Sequence, residues 1–254
     1  MPDKHYDSAY LEDTGRALKN IKEQSYTAFK QIEQGVIIDL GCGTGLDAHR
    51  LTEITPESVK VVGIDHDADM LNKAKLDAAD TERLEFILSE ACPLDFDNNS
   101  ISGLRSERMI QHLAEPEKVV EEIYRVLHEN APLVIVETDW RSLSFYTGHP
   151  SIEKKVNDYL TEVKVKNGTA ARNLTTYLNR IKFSNITLEV CPVVLRSIKE
   201  ANDYLWFEKI LNEAAHLGYV TEQERDKFYD NLKLADHLKY FVCAINLVIV
   251  TCNK

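Results

Sequence analysis

No stretch of this sequence is both apolar and long enough to cross a bilayer, since a spanning helix needs about 20 such residues. The longest candidate, FVCAINLVIV at 241–250, is broken by Asn246. The opening MPDKHYDSAY holds no apolar signal segment, so a cytoplasmic location is expected. The five cysteines, Cys42, Cys92, Cys191, Cys243 and Cys252, form no C-x-x-C pair and no zinc spacing. They read as reduced thiols, mostly buried. No His/Asp cluster at metal spacing is present, so no metal is expected. Basic charge is scarce: 30 Lys and Arg face 41 Asp and Glu, a net charge of −11. Without a dense Lys/Arg face, general affinity for nucleic acid is disfavoured. There is no internal repeat, low-complexity tract or obvious linker.

What is there suits a globular protein, with 44% hydrophobic and 28% charged residues over 254 positions. That length fits one large α/β domain, or a core with a smaller appendage. Apolar positions at Leu18, Ile21, Tyr26, Phe29 and Ile32 predict a helix or helix pair over 7–34. Short β-branched runs then alternate with helical spacing. Strands are predicted at 35–40, 59–65, 84–90, 100–108 and 131–139, with helices at 46–54, 67–80 and 116–130. Asp67 is placed to cap the second of these helices. Beyond Trp140 the rhythm changes: a loop at 141–150, helices near 151–166 and 171–181, and a strand at 185–195. Helices at 200–218 and 221–236 precede a last strand at 239–252. The alternation implies an α/β fold, a doubly wound and mostly parallel seven-stranded sheet of Rossmann-like form. Ligands in such sheets sit beyond the carboxyl ends of the strands. Asp39, Asp65, Glu90 and Glu137 all fall at or next to those ends.

The stretch VIIDLGCGTGLDA (36–48) turns a buried strand into a helix through three alternate glycines. A nicotinamide turn, G-x-G-x-x-G, wants glycine where Leu46 stands, and no G-K-[ST] follows to make a phosphate loop. At the tip of the next strand stands Asp65, whose carboxylate can accept from both hydroxyls of a ribose. An acid there suits any adenosine ribose.

Read as D-x-G-x-G-x-G, the turn resembles the first signature of class I S-adenosylmethionine-dependent methyltransferases. The resemblance covers roughly 35–140. LEFILSEACPLDFDNNSISGLRSERMIQHLAEPEKVVEEIYRVL is similar to the corresponding stretch of the ubiquinone/menaquinone-type group, including its Q-H-L and R-V-L segments. It implies that Asp39, Gly41, Cys42, Gly43 and Gly45 approach the cofactor, with Asp65 on the ribose. It further implies His66 and Met70 along adenine and ribose, Glu90 and Ala91 at the adenine, and Arg105 beside the methionine portion. Three departures stand out: Ser89-Glu90 replaces Gly-Asp, Ser102 replaces an aspartate, and HENAP (128–132) replaces an R-P-G-G turn.

On this reading 1–34 is a helical cap, 35–140 the cofactor-binding core, and 141–254 the substrate-shaping helices with the last two strands, all in one domain. The insertions at 141–182 and 197–238 are expected to shape the substrate cavity. S-adenosylmethionine would be converted to S-adenosylhomocysteine with a small-molecule methyl acceptor as partner. Methyl transfer from a sulfonium can proceed by alignment alone. A base is needed only where the nucleophile must lose a proton, and His112 is the candidate. Tyr6 and Tyr10 stand where a helix would cover the cofactor. Trp140, Tyr146, Trp206 and Phe207 suit either an apolar wall or the core, and Glu137 and Asp139 could face a polar group. A protein or nucleic-acid methyltransferase, or a cofactor-binding protein without turnover, remain the alternative classes.

Overall fold

Branching at Cβ stiffens a side chain and suits extended backbone, so the Val/Ile runs set the strands. The computed structural model describes residues 19–78, 81–146 and 149–254. Its strands are β1 (Gly35–Leu40), β2 (Val59–Asp65), β3 (Leu84–Leu88), β4 (Gly103–Glu107), β5 (Pro132–Phe145), β6 (Ser184–Leu195) and β7 (Cys243–Asn253). They form a seven-stranded sheet in the order β3-β2-β1-β4-β5-β7-β6. β1 pairs in parallel with β2 and β4, β2 with β3, and β4 with β5. β7 runs against β5: Asn130 N donates to Lys254 O near one end, and Tyr146 N to Val242 O near the other. β6 runs against β7, with Ser184 Oγ donating to Asn253 O and Thr187 Oγ1 to Thr251 O. The strand order reverses between β1 and β4, and in open α/β sheets ligands gather at that switch point.

Two compact units divide the chain. One consists of Asn20–Glu137, Ala171–Glu189 and Val248–Lys254, and the other includes Thr138–Ala170 and Val190–Leu247. The first carries α1 (Lys19–Ser25), a 3₁₀ turn (Thr27–Phe29), α2 (Leu46–Ile54), α3 (Ala68–Asp77) and α4 (Pro116–Val126). Pro116 at the first turn suits a helix start, and Val119, Val120, Ile123 and Val126 form its buried stripe. Each such side chain contributes about 1.5–3 kcal/mol on burial. The second unit carries α5 (Pro150–Tyr159), and α6 (Ala170–Ile181) follows in sequence. Then come α7 (Ile198–Leu205), α8 (Phe207–His216) and α9 (Glu222–His237). Among the described residues no helix is long and apolar enough to cross a membrane.

The sheet and its mostly parallel character are those implied by the alternation of elements. Several boundaries differ by a few residues, among them the helix predicted at 116–130, which ends at Val126, and three differences are larger in consequence. The first half of the expected loop at 141–150 is strand, because β5 continues to Phe145 and buries Leu143 and Phe145. The expected helix at 200–218 is two helices, broken at Trp206, whose backbone is left-handed (φ 54°). Asn202 accepts from Glu208 N across the break, which supplies the second helix with a cap. The last strand starts at Cys243 instead of 239. Lys239 takes a positive φ of 64°, and the amides of Tyr240 and Phe241 still bond back to Ala235 O. Tyr6 and Tyr10, with residues 7–18 of the predicted 7–34 helix, lie outside the described residues.

Candidate active site

β1 and β4 lie side by side with Asp39 opposite Arg105, and Asp39 is also opposite Gly63 of β2. Past Leu40 the chain turns through Gly41 and Gly45 at φ 77° and 78°, conformations that a Cβ strains. Space excludes a side chain too: a Cβ on Gly45 would lie 2.5 Å from Phe86, and one on Gly41 would lie 2.8 Å from Met109. The amides of Gly41 and Cys42 both donate to Ile64 O, at 2.8 and 3.0 Å, fastening the turn to the end of β2. Burial pushes the Cys42 thiol well above its ordinary range, so it is a packed thiol and not a nucleophile.

Asp65, at the tip of β2, holds the same turn from its side chain. Oδ2 accepts from Gly43 N at 2.8 Å, and Oδ1 from Asp67 N at 2.9 Å. Each carboxylate oxygen has two lone pairs, so both keep capacity for a further donor. Asp67 is the helix cap, its Oδ1 accepting from Asp69 N and Met70 N. This cap fixes Met70, half-buried, in the first turn of α3. His66 is largely exposed, its Nδ1 3.5 Å from Asp65 Oδ1. Ser89 N donates to Asp65 O at 3.0 Å, which brings the end of β3 alongside. Glu90 follows, exposed, with Ala91 half-buried.

Arg105 is fully buried, a placement that requires paired charge. Its Nη2 lies 2.6 Å from Glu107 Oε2, and its Nη1 lies 3.1 Å from Asp47 Oδ2 and 4.0 Å from Asp39 Oδ1. Ser25 Oγ accepts from Nη2 at 3.2 Å, and the guanidinium stands 4.9 Å over the Tyr26 ring. Lys22 Nζ reaches Asp47 at 2.9 Å and Glu107 at 3.2 Å, and the Tyr26 hydroxyl donates to Asp47. Burial would raise Asp47, but Arg105 and Lys22 outweigh it and hold the carboxyl below its usual range. Asp39 goes the other way: burial and then the charge of Asp47 push it up to about 7. Among the described residues, Asp39 Oδ2 and Arg105 Nη1 lack a hydrogen-bond partner. A buried acceptor therefore stands without a donor beside a guanidinium nitrogen whose neighbours are the Asp47 and Asp39 carboxylates.

On the neighbouring strand Glu137 is completely buried. Read from the sequence as an acid that could face a polar group, it holds the loop that follows β4. Its Oε1 accepts from Ile110 N at 2.6 Å, while Arg108 N donates to Val136 O at 2.7 Å. Burial pushes the Glu137 carboxyl up to about 8, against the pull of the Ile110 and Gln111 amides. The loop ends in one 3₁₀ turn, Ile110–His112, from which His112 projects half-buried. Because Glu137 holds its proton more tightly folded than unfolded, its stabilisation is complete below the ordinary value of 4.5 and drains as pH rises towards 8. Melting curves should show this. Between pH 5 and 9 the parent should lose on the order of 4 kcal/mol that Glu137→Gln does not lose. Parallel pH profiles for the two would refute the assignment.

Lys22, Ser25, Tyr26, Asp47 and Glu107 escaped the sequence reading. One signal was available: Glu107 is two residues beyond Arg105 on a strand, and so shares its face. In the second unit, Phe207 is a core residue, its ring 4.7 Å from Phe145 and 6.2 Å from Phe228. Trp140 is buried, Tyr146 is exposed, and Trp206 carries Lys209 Nζ 5.1 Å over its ring. Asp139 is half-buried.

The family described as "Methyltransferase domain" matches residues 33–209. A Streptomyces fradiae protein, an uncharacterized 37.1 kDa protein in transposon TN4556, is 27% identical over 213 residues, 84% of this chain and 61% of that one. The demethylmenaquinone methyltransferase of Lactococcus lactis is 33% identical over 112 residues, 43% of this chain and 44% of that one. The chain thus spans less than two thirds of these relatives' lengths. Among solved structures, Haemonchus contortus phosphoethanolamine N-methyltransferase 2 in complex with S-adenosyl-L-methionine superposes with a TM-score of 0.63 at 17% identity, covering 99% of this chain and 58% of that one.

Proposed function

We propose that this chain, which belongs to the methyltransferase-domain family, is a class I S-adenosylmethionine-dependent methyltransferase of the ubiquinone/menaquinone type that methylates a small-molecule acceptor by in-line displacement. The observation that carries this reading is the pair of buried polar atoms without a hydrogen-bond partner, Asp39 Oδ2 and Arg105 Nη1, beside the glycine turn. Such an acceptor and a guanidinium fit the ammonium and carboxylate of an amino-acid group. The glycine turn and the remaining lone pairs of Asp65 fit a ribose. His66, Met70, Glu90 and Ala91 stand on the segments that would meet the adenine.

When bound, S-adenosylmethionine supplies a methyl carbon already activated by its sulfonium. The chain's residues then have to hold, orient and exclude water, which lowers the barrier without an obligatory acid. His112 is the group available to take a proton from an acceptor that carries one. The demethylmenaquinone methyltransferase relative supports a small molecule as acceptor, and the net charge of −11 supports it against nucleic acid.

A luminescent assay for S-adenosylhomocysteine, run against metabolites, peptides and oligonucleotides, tests the proposal. Product is expected with one or more metabolites, and product only with peptide or oligonucleotide would reverse the acceptor class. With the acceptor found, His112→Ala should lower turnover by about 10²–10⁴-fold while leaving S-adenosylhomocysteine affinity unchanged. The deficit should shrink at high pH, where the acceptor ionises unaided. Turnover equal to the parent's would eliminate His112 as a base.

A further inference from the structure

We propose that Glu137 and Gln111 are positioning residues that hold the His112 ring in its Nδ1–H tautomer, leaving Nε2 as the basic nitrogen. The proposal rests on His112 having the role given above, but its geometry stands apart from the cofactor. Glu137 fixes the loop by accepting from Ile110 N at 2.6 Å. Arg108, at the start of that loop, takes a positive φ of 50°, a strained conformation for a side chain of its size. An anchor inside the protein is what holds such a turn, and Ile110, Gln111 and Glu137 are all completely buried.

The fixed turn in turn orients the Gln111 amide. Its Nε2 lies 3.2 Å from the carbonyl of Arg108, and a carbonyl oxygen faces only a donor, so the amide nitrogen is assigned to that side. The same nitrogen is 3.2 Å from His112 Nε2. An amide NH₂ has two hydrogens: one goes to Arg108 O, and the other meets the ring. His112 Nε2 must then accept, which puts the ring proton on Nδ1. A free imidazole favours the opposite tautomer, with its proton on Nε2. The chain thus selects the less common form, and an acceptor's proton would enter at Nε2 by displacing the Gln111 hydrogen.

Both residues act through His112 and touch no reacting atom, so the test reads the ring itself. In the intact chain labelled with ¹⁵N-histidine, the His112 resonances are identified by their loss in His112→Gln. At a pH where the ring is neutral, the nitrogen shifts should report pyrrole-type Nδ1 and pyridine-type Nε2, with the Nδ1–H form in roughly tenfold excess. Gln111→Met and Glu137→Met should each return the ring towards the Nε2–H form, whereas Glu137→Gln, which keeps an acceptor for Ile110 N, should preserve the parent spectrum. The parent measurement needs no variant to fold, and an Nε2–H signature there overturns the proposal outright. So does an Nδ1–H signature that survives in folded Gln111→Met and Glu137→Met. No cofactor or acceptor enters the experiment, so its failure is separate from a failed methyl-transfer assay.

Discussion

Arg105→Met should destabilise the protein by on the order of 3–5 kcal/mol, the usual cost of stripping one partner from buried charges. The variant keeps the volume but leaves Asp39, Asp47 and Glu107 grouped around the vacated guanidinium position, with Lys22 still on Asp47 and Glu107. The pH dependence identifies the cause. In the parent, Asp47 and Glu107 are held below their usual carboxyl range, so their contribution is present above that range and is lost as pH falls through the folded values. In the variant the same carboxylates repel one another, their protonation is favoured, and stability should recover as pH falls towards 4–5, roughly the ordinary carboxyl range. Urea unfolding at neutral and acidic pH would show the gap narrowing in acid. Adding Asp47→Asn to the variant should restore part of the loss, because the two sites share one interaction. A variant within about 1 kcal/mol of the parent at neutral pH would mean that the cluster does not work as charge pairing.

Asp65→Ala should weaken S-adenosylhomocysteine binding by roughly ten- to a hundredfold, since a hydrogen bond to a charged group contributes about 1.5–3 kcal/mol. Two losses combine. The ribose would lose its acceptor, and Gly43 N would lose the carboxylate that holds the glycine turn. Asp65→Asn, which keeps one acceptor oxygen, should fall between the parent and the alanine variant. Asp67→Ala is the control: it removes a cap that accepts from Asp69 N and Met70 N. That change should cost about 1 kcal/mol of stability and leave affinity nearly unchanged. If Asp67→Ala lost affinity as severely as Asp65→Ala, the effect would belong to the start of α3 and not to a ribose contact.

Much of this was legible along the chain because the signals are local. Gly35–Leu40 and Val59–Asp65 are short β-branched runs bounded by turn residues, and both strands match their predicted limits. The Asp67 cap follows from a single residue before a helical pattern. What the sequence hid are pairings set by the sheet. Arg105 meets Ser25, 80 positions away, and Lys22 meets Asp47, 25 away. Strand alternation places Arg105 and Glu107 on one face, but only the neighbouring strand and α1 show that the face is closed. Glu137 was read as an acid at a strand end that could face a polar group, and its complete burial and its bond to Ile110 N were not legible there. Trp206 sits in an unbroken helical pattern, and the break there depends on its left-handed backbone and on the Asn202 side chain.

Calorimetric titration of the intact, folded chain with S-adenosylhomocysteine tests the central claim most directly. The expected result is saturable binding of one molecule per chain, with adenosine alone binding more weakly because it leaves Asp39 and Arg105 without their amino-acid partner. A folded chain that takes up no S-adenosylhomocysteine, or binds adenosine equally well, would contradict the cofactor site built here from Asp39, the glycine turn, Asp65 and Arg105.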